Sequence, residues 1–267
     1  MKKFLALMLT VLMVLGMAAC GKKEEADSAL EAIKDAGKLV VGTSADYPPY
    51  EFHAEIDGKD TIVGFDIAIA QAIADDLGVE LEIVDMSFDN LLMSLANDEF
   101  DMVIAGLSAD EERRKTNDFT ESYLESKSLV LVREEDADKF KTVDDLAGVK
   151  GGAQTGAIPF DNCVKYCGEE NAIGLTKVQD LVMELEAGKL DAVFLDYMTV
   201  LTYAEVKDGL AAVDVGIPNT GEGYSIAVKK GDTDLVEYLN GVLADLNEED
   251  KIEDFIVEAQ LIAGMEE

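Results

Sequence analysis

The sequence is short of positive charge and of histidine. Its 267 residues include 22 Lys and Arg against 56 Asp and Glu, for a net charge of −34. Nucleic-acid binding needs a basic surface, so no nucleic-acid partner is expected. The same charge repels anionic lipid headgroups. The single histidine, His53, lies in a segment (51–60) typical of an exposed hairpin, and a Ser-His-Asp or Cys-His site would have to use it.

Cysteine is also scarce. Of the three, Cys163 and Cys167 are four residues apart, just after a glycine-containing loop. An exported protein can pair two such cysteines, yet on a regular helix this spacing lies near the upper limit for a disulfide. A disulfide and two free structural thiols therefore both remain open. Two cysteines without a nearby histidine make a poor zinc set, so no metal site is expected.

The one long apolar run covers residues 4–19, directly after Met1-Lys2-Lys3. It is too short for a membrane span, which needs roughly 20 residues, and a basic start before such a run predicts a secretory signal over 1–19. Small residues directly before Cys20 resemble a bacterial lipobox, in which the cysteine is acylated; Met17 stands where Leu is usual. The expected result is a lipoprotein on the outer face of the cell membrane, extracellular or periplasmic, with 20–37 as a tether. An ordinary secreted protein and a retained anchor are the alternatives.

The rest of the chain alternates strand and helix patterns, which predicts an α/β fold. Residues 39–44 form an apolar run of the buried-strand type, a helical stripe ends at Gly78, and residues 79–84 alternate before turning apolar. This is the pattern of a βαβ unit, so the two strands should be parallel with a right-handed crossover. The stripe itself consists of Phe65, Ile69, Ile73 and Leu77.

Two segments echo each other without a gap. Residues 94–106 align with 184–196, so that Asp101 meets Asp191. Chance can produce such a match in any α/β protein. The alternative is two similar lobes, in which Gly106 and Asp196 end matching strands and face one cleft, since ligands bind at the carboxyl ends of strands in open α/β sheets.

Seven segments together carry a resemblance to a known family. They are GTSADYPPYEF (42–52), GFDIAIAQAIADDLG (64–78), SFDNLLMSLANDEFDMVIAGLSADEERR (87–114), DFTESY (118–123), AQTGA (153–157), LDAVFLD (190–196) and YSIAVKKGD (224–232). From about residue 38 to 265 the chain resembles the extracellular solute-binding proteins of family 3, the polar amino-acid receptors of ABC importers. The resemblance implies the two-lobe, type II periplasmic-binding-protein-like fold with the ligand in the cleft between the lobes. The expected boundaries are 38–124 plus 227–267 for lobe 1, 129–222 for lobe 2, and 125–128 and 223–226 for the hinge.

An amino acid carries a carboxylate and an ammonium group on one carbon, and its receptor needs an opposite charge for each. The guanidinium of Arg binds two carboxylate oxygens at once. The resemblance places Arg113 at the ligand carboxylate; a surface ion pair is the alternative. A carboxylate at the end of a buried strand is costly unless it is paired. The resemblance pairs Asp196 with the ligand ammonium; capping the helix after it is the alternative.

The resemblance assigns further contacts. Gly106 offers its carbonyl to the ammonium group, Ser108 offers its hydroxyl and N–H, and Ala157, where the family often has Thr, retains only a backbone N–H. Tyr47 and Phe88 match the aromatic positions on either side of the ligand side chain; packing in the core is the alternative. Ser44 stands where receptors for basic ligands and glutamine often carry Asp. Asp46 and Glu51 then either supply negative charge or lie at a turn or on the surface.

The implied function is capture of a polar or basic L-amino acid by hinge closure and its delivery to an ABC permease. The protein is expected to be a monomer without a cofactor, held to the membrane by its lipid anchor alone, and not an enzyme. Two rivals share the scaffold: a prephenate/arogenate-type dehydratase, which needs a general acid in the cleft, and the sensory domain of a receptor.

Overall fold

The structure is a computed structural model that describes residues 28–219 and 223–264. The signal and residues 20–27 of the predicted tether, with Cys20, lie outside this range, whereas Ala29–Ala36 of that tether form a helix. The strands are β1 Lys38–Thr43, β2 Asp46–Tyr47, β3 Glu51–Ile56, β4 Lys59–Val63, β5 Glu80–Asp85, β6 Met102–Val103, β7 Asn117–Phe119, β8 Ser128–Arg133, β9 Gly151–Gln154, β10 Ala172–Leu175, β11 Ala192–Asp196, β12 Leu210–Val213 and β13 Ala227–Lys229. The helices are α1 Ala29–Ala36, α2 Phe65–Leu77, α3 Leu91–Ala96, α4 Arg113–Thr116, α5 Ile158–Cys167, α6 Val178–Glu186, α7 Tyr197–Val206, α8 Thr233–Glu248 and α9 Lys251–Ala263.

The predicted βαβ unit is confirmed. β1 pairs with β5 in parallel, and α2 connects them. Three residues of the predicted helical stripe, Phe65, Ile69 and Ile73, are fully buried. The helix ends at Gly78, whose φ of 70° is the left-handed conformation that glycine adopts without strain.

The two large sheets have the same topology. The first has the strand order β5-β1-β6-β13-β7 and the second β10-β9-β11-β8-β12. In each, the first three strands are parallel and the last two run antiparallel to their neighbours. We call the first sheet with its helices lobe 1 and the second with its helices lobe 2; α8 and α9 pack on α1 and α2 and so belong to lobe 1.

The sequence echo reflects this shared topology. Asp101 accepts a hydrogen bond of 2.8 Å from the N–H of Val40, and Asp191 accepts one of 3.4 Å from the N–H of Lys150. Each aspartate therefore lies directly before the central strand of its sheet and binds the neighbouring parallel strand. The matching residues occupy matching places in the two lobes.

The chain crosses between the lobes in two hydrogen-bonded segments. Tyr224 forms antiparallel bridges with Ser108 and Leu124, and its N–H donates to the Leu124 carbonyl at 2.8 Å. Buried aromatic rings continue from there under the cleft: Tyr50 lies 5.1 Å from Tyr224 and 5.5 Å from Tyr47 between ring centroids. The crossings are thus packed against the floor of the cleft.

The hairpin β3–β4 is formed as predicted. His53 lies on strand β3 rather than in a loop, with its side chain 43% exposed, and contacts Asp60 and Asp85. Cys163 and Cys167 are buried free cysteines on α5. No helix in the described ranges has the length and apolarity to cross a membrane.

Candidate functional site

Seven of the eight predicted ligand-binding residues line one cleft between the lobes. They are Tyr47, Phe88, Gly106, Ser108, Arg113, Ala157 and Asp196. The same cleft is also lined by Ala105, Ser126, Ser128, Gln154, Ile158, Pro159, Asn162, Pro218 and Asn219. Ser44 does not line it. Its buried hydroxyl donates to Asp46 at 3.3 Å, so its contribution to the site is indirect.

Arg113 is held by both lobes. It begins the short helix α4, where its N–H donates to Asp110 at 2.8 Å. Its guanidinium donates to the Ser108 carbonyl at 2.6 Å in lobe 1 and to the Gly156 carbonyl at 3.0 Å in lobe 2. The side chain is 12% exposed, and its Nε lies 3.6 Å from Oδ2 of Asp110, so the ion pair considered for it is present beside the contacts in the cleft. Burial lowers the pKa of Arg113, but nearby carboxylates oppose this, and the group remains a cation.

Phe88 forms a wall beside this cation. The guanidinium carbon of Arg113 lies 5.6 Å from the centroid of the Phe88 ring, within cation–π distance. The ring thereby restricts the orientation of the guanidinium and keeps one side of the cleft apolar. An aliphatic side-chain stem fits between such a ring and Tyr47.

Asp196 is the last residue of β11 and faces the cleft from lobe 2. Its carboxylate accepts from the Tyr47 hydroxyl at 3.0 Å, and its N–H donates to the same hydroxyl at 2.8 Å. Although Asp196 occupies the N-cap position of α7, its side chain makes no capping hydrogen bond. The capping alternative therefore does not account for the carboxylate. Burial raises the pKa of Asp196 to about 6, although the hydrogen bond from Tyr47 and the charge of Arg113 oppose the shift.

A second buried carboxylate supports the lobe 1 side of the site. The N–H of Gly106 donates to Asp66 at 2.7 Å, which holds the turn in place. Asp66 also accepts from the Tyr123 hydroxyl at 2.9 Å. Burial raises the pKa of Asp66 to about 6, and burial together with the charge of Asp66 raises the pKa of Glu51 well above its ordinary value. The surface position considered for Glu51 is thus wrong, since this residue is 1% exposed.

Sequence reasoning missed the role of Asp46. It is 8% exposed, not a surface residue, and it reaches from lobe 1 to lobe 2. Its carboxylate accepts from the N–H of Val178 at 2.8 Å and from Nε2 of Gln154 at 3.1 Å. Gln154 itself was missed as a residue of the cleft. These partners are 132 and 108 residues away from Asp46, so no local pattern could have indicated them.

The cleft holds a cation, Arg113, and an anion, Asp196, whose charges interact, and aromatic rings form part of its walls. Among the described residues, no group of three or more His, Cys, Asp or Glu side chains is arranged to hold a metal. The arrangement suits a small zwitterion, and comparison with known proteins identifies the family. The profile of the bacterial extracellular solute-binding proteins, family 3, matches residues 39–257. The chain belongs to this family.

Relatives of this solute-binding protein include receptors for different amino acids. It is 28% identical over 255 residues to the arginine-binding extracellular protein ArtP of Bacillus subtilis, covering 95% of this chain and 96% of that one. It is 30% identical over 255 residues to the L-cystine-binding protein TcyJ of Escherichia coli K12, covering 90% and 88%.

Solved structures share the fold. An amino acid ABC transporter substrate-binding protein from Streptococcus pneumoniae bound to L-arginine is 42% identical, with a TM-score of 0.84, and the match covers 88% of this chain and 98% of that one. An ancestral amino-acid-binding protein described as a precursor of cyclohexadienyl dehydratase is 30% identical, with a TM-score of 0.78 and coverage of 86% and 99%. The scaffold is thus that of the two-lobe amino-acid-binding proteins, and an enzyme lineage has started from it.

Proposed function

We propose that this protein is an extracytoplasmic receptor that captures a polar or basic L-amino acid between its lobes and delivers it to an ABC permease. The observation that carries the proposal is the placement of Arg113 and Asp196, from opposite lobes, in one cleft. A ligand carboxylate would bind the Arg113 guanidinium and its ammonium group would bind Asp196, with the Gly106 carbonyl and the Ser108 hydroxyl as further partners.

The ligand would then stabilise the closed arrangement. A zwitterion bridging Arg113 and Asp196 interacts with both lobes only when they are together, so it shifts the population toward closure. The contact of Arg113 with the Gly156 carbonyl shows how close the lobes lie at this point. We place the lobes at 38–124 plus 227–267 and 129–222, and the hinge at 125–128 and 223–226.

Arginine is the first ligand to test, because it is the ligand named for the pneumococcal structure and for ArtP. The test is calorimetry and thermal-shift screening of the purified protein with the twenty L-amino acids, for wild type, Arg113→Ala and Arg113→Lys. A ligand that binds only the folded protein raises its melting temperature.

We expect Arg113→Ala to lose at least about 30-fold in affinity, because removing one partner of a buried charged pair costs roughly 2–5 kcal/mol. Arg113→Lys keeps the charge but not the paired N–H groups, and should bind with intermediate affinity. No response of the wild type to any amino acid would overturn the proposal.

The membrane attachment is part of the proposal. Acylation at Cys20 would anchor the protein as a monomer on the outer face of the membrane, beside its permease. Detergent phase partitioning of the protein from the native host, compared with Cys20→Ala, tests this. Release of the variant into the medium is the expected result, and equal partitioning of both forms would contradict it.

The dehydratase alternative is favoured by the similarity to the ancestral amino-acid-binding protein described as a precursor of cyclohexadienyl dehydratase. It needs a general acid in the cleft, and Asp196, with its raised pKa, is the carboxyl group in position. Incubation with prephenate and arogenate tests it. Turnover abolished by Asp196→Asn would establish this alternative; the receptor predicts binding of an amino acid without turnover.

A further inference from the structure

Asp46 is a residue of lobe 1 whose carboxylate joins the two lobes beside the cleft. It belongs to β2 of lobe 1, beside Tyr47, and its carboxylate accepts from the first N–H of α6 in lobe 2 at 2.8 Å. The N-cap residue of that helix, Lys177, makes no side-chain cap. Asp46 therefore caps α6 from the other lobe, satisfying a free N–H at the positive end of the helix. We call Asp46, Gln154 and Val178 the Asp46 bridge.

The bridge fixes the amide of Gln154. One terminal atom of this side chain lies 3.1 Å from an Asp46 carboxylate oxygen and 3.1 Å from the Thr176 carbonyl oxygen. Both neighbours accept hydrogen bonds, so this atom must be Nε2, and its two hydrogens are both used. Within residues 28–219 and 223–264, no hydrogen bond is donated to Oε1 of Gln154. The amide thus has one free end, an acceptor, on a residue that lines the cleft.

We propose that the Asp46 bridge sets the ligand class: Asp46 orients Gln154 so that Oε1 accepts from the end of the ligand side chain, and the site selects L-amino acids whose side chains end in N–H donors. The inference rests on the proposed function, because it needs the amino-acid head group to be held by Arg113 and Asp196. In this proposal the end of the ligand side chain lies at Gln154, which lines the same cleft as Tyr47 and Phe88.

The charges favour a cationic donor within this class. Of the described residues that line the cleft, Arg113 is the one cation, and in the proposed function it is paired with the ligand carboxylate. The Asp46 carboxylate accepts from the Gln154 amide and from Ser44 as well. A guanidinium group therefore meets both an acceptor and a negative potential, whereas an apolar side chain would leave Oε1 buried without a donor, which is costly.

The orientation of Gln154 also depends on closure. Its partner Asp46 belongs to the other lobe, so one of the two hydrogen bonds that fix the amide forms only when the lobes meet, whereas the bond to the Thr176 carbonyl lies within lobe 2. Because closure helps to orient the Gln154 acceptor, selection among ligand side chains belongs to the closed form. Asp46 is accordingly a positioning residue, which acts on the ligand through Gln154.

The test is calorimetry with L-arginine, L-citrulline, which has nearly the same shape, and L-norleucine, whose apolar side chain is shorter. They share the head group and differ in the end of the side chain, which is a charged donor, a neutral donor or a methyl group. We expect the wild type to bind arginine more tightly than citrulline, and norleucine at least about 100-fold more weakly than arginine. A site built to bind a donor rejects a ligand without one by such factors.

Gln154→Leu removes the acceptor and should reduce the preference for arginine over norleucine at least tenfold. Gln179→Leu makes the same chemical change on an exposed residue of α6 and should keep the wild-type ratio. Asp46→Asn should weaken arginine binding about tenfold, because asparagine keeps only one acceptor oxygen and must turn its NH2 group toward either the Gln154 amide or the Val178 N–H, both of which are donors. Asp85→Asn removes the same charge nearby, from a carboxylate that binds Ala45 within lobe 1, and should bind arginine as the wild type does.

The outcomes separate the two proposals. If the wild type binds norleucine as tightly as arginine, or if Gln154→Leu folds and keeps the wild-type ratio, the inference is overturned while the receptor function stands. If the wild type binds none of the three, nor any other amino acid, the function itself fails. The ligand series on the wild type decides the question even where a variant does not fold.

Discussion

At the scale of single residues, Asp196 makes ligand binding depend on pH. Its pKa of about 6 in the ligand-free protein means that it is largely ionised at pH 7 and largely protonated at pH 5. Only the ionised form attracts an ammonium group. We expect the affinity for the amino acid to fall about tenfold between pH 7 and pH 5, the change in the ionised fraction of a group with this pKa. Calorimetry across this range measures it; Arg113→Lys should keep the slope, and a slope that persists in Asp196→Asn would contradict the assignment.

The stability of the ligand-free protein should change in the opposite direction. Asp196 and Asp66 both have folded-state pKa values of about 6, above the ordinary value of 3.8. Between about pH 4 and pH 6 the folded protein therefore binds protons more tightly than the unfolded chain. This contribution to stability is fully present below about pH 4 and is lost as the pH rises through about 6. The ligand-free melting temperature should therefore rise from pH 7 to pH 5 while the increment due to ligand shrinks. If the ligand-free melting temperature and the rise caused by the ligand both fell from pH 7 to pH 5, the prediction would be wrong.

The residues also show where sequence reasoning ends. Arg113 and Asp196 could be predicted because each lies at or just after the end of a strand within a recognisable segment. Asp46 and Gln154 could not, because their roles arise from contacts across the cleft between distant parts of the chain. A buried carboxylate whose partners come from the other lobe resembles, in sequence, any aspartate at a turn.

At the scale of elements, β9 and α5 pack closely because position 151 on β9 is a glycine, which has no side chain. A Cβ on Gly151 would lie 2.6 Å from Sγ of Cys163 and 2.7 Å from Sγ of Cys167, both buried on α5. Gly151→Ala should destabilise the protein by about 1–3 kcal/mol, the usual cost of overpacking a core. Thermal unfolding should show this as a loss of about 2–4 °C per kcal/mol for a protein of this size.

Gly241 is the matched control. It lies inside α8, and a Cβ there would have no neighbour within 4 Å. Gly241→Ala should stabilise the protein by roughly 0.5–1 kcal/mol, because glycine is less favourable than alanine in a helix interior. Combining Gly151→Ala with Cys163→Ala should recover part of the loss, since it removes one of the two sulfur atoms in the way. Equal melting temperatures of the two single glycine variants would contradict the packing argument.

Elements were predictable where a periodic pattern was long enough. The parallel pair of β1 and β5 with α2 followed from the alternation of apolar runs and a helical stripe. The echo around Asp101 and Asp191 indicated that β6 and β11, the third strand in the order of each sheet, occupy matching places. For the antiparallel strands β8 and β13, direction and place in the sheets depend on tertiary pairing, which no periodicity contains.

At the scale of the whole molecule, the duplicated sheet topology explains the location of the site. Both sheets turn the carboxyl ends of their central strands, β6 and β11, toward one cleft, so Gly106 and Asp196 face each other from related positions. Polar contacts join the lobes across the cleft: Tyr47 with Asp196, Arg113 with Gly156, and the Asp46 bridge. Water can replace these hydrogen bonds when the cleft opens.

Ligand binding should therefore make the whole protein more compact. Without ligand, burial in the cleft disfavours the charged forms of Asp196 and Arg113, which favours opening to water; a bound zwitterion pairs with both charges and favours closure. We expect small-angle scattering to show a smaller radius of gyration with saturating ligand, and no change for Arg113→Ala at the same concentration. If calorimetry shows full occupancy and the radius is unchanged, the lobes are already closed without ligand. In that case the permease could not distinguish loaded from empty receptor by shape, and recognition would have to depend on the ligand itself or on its release.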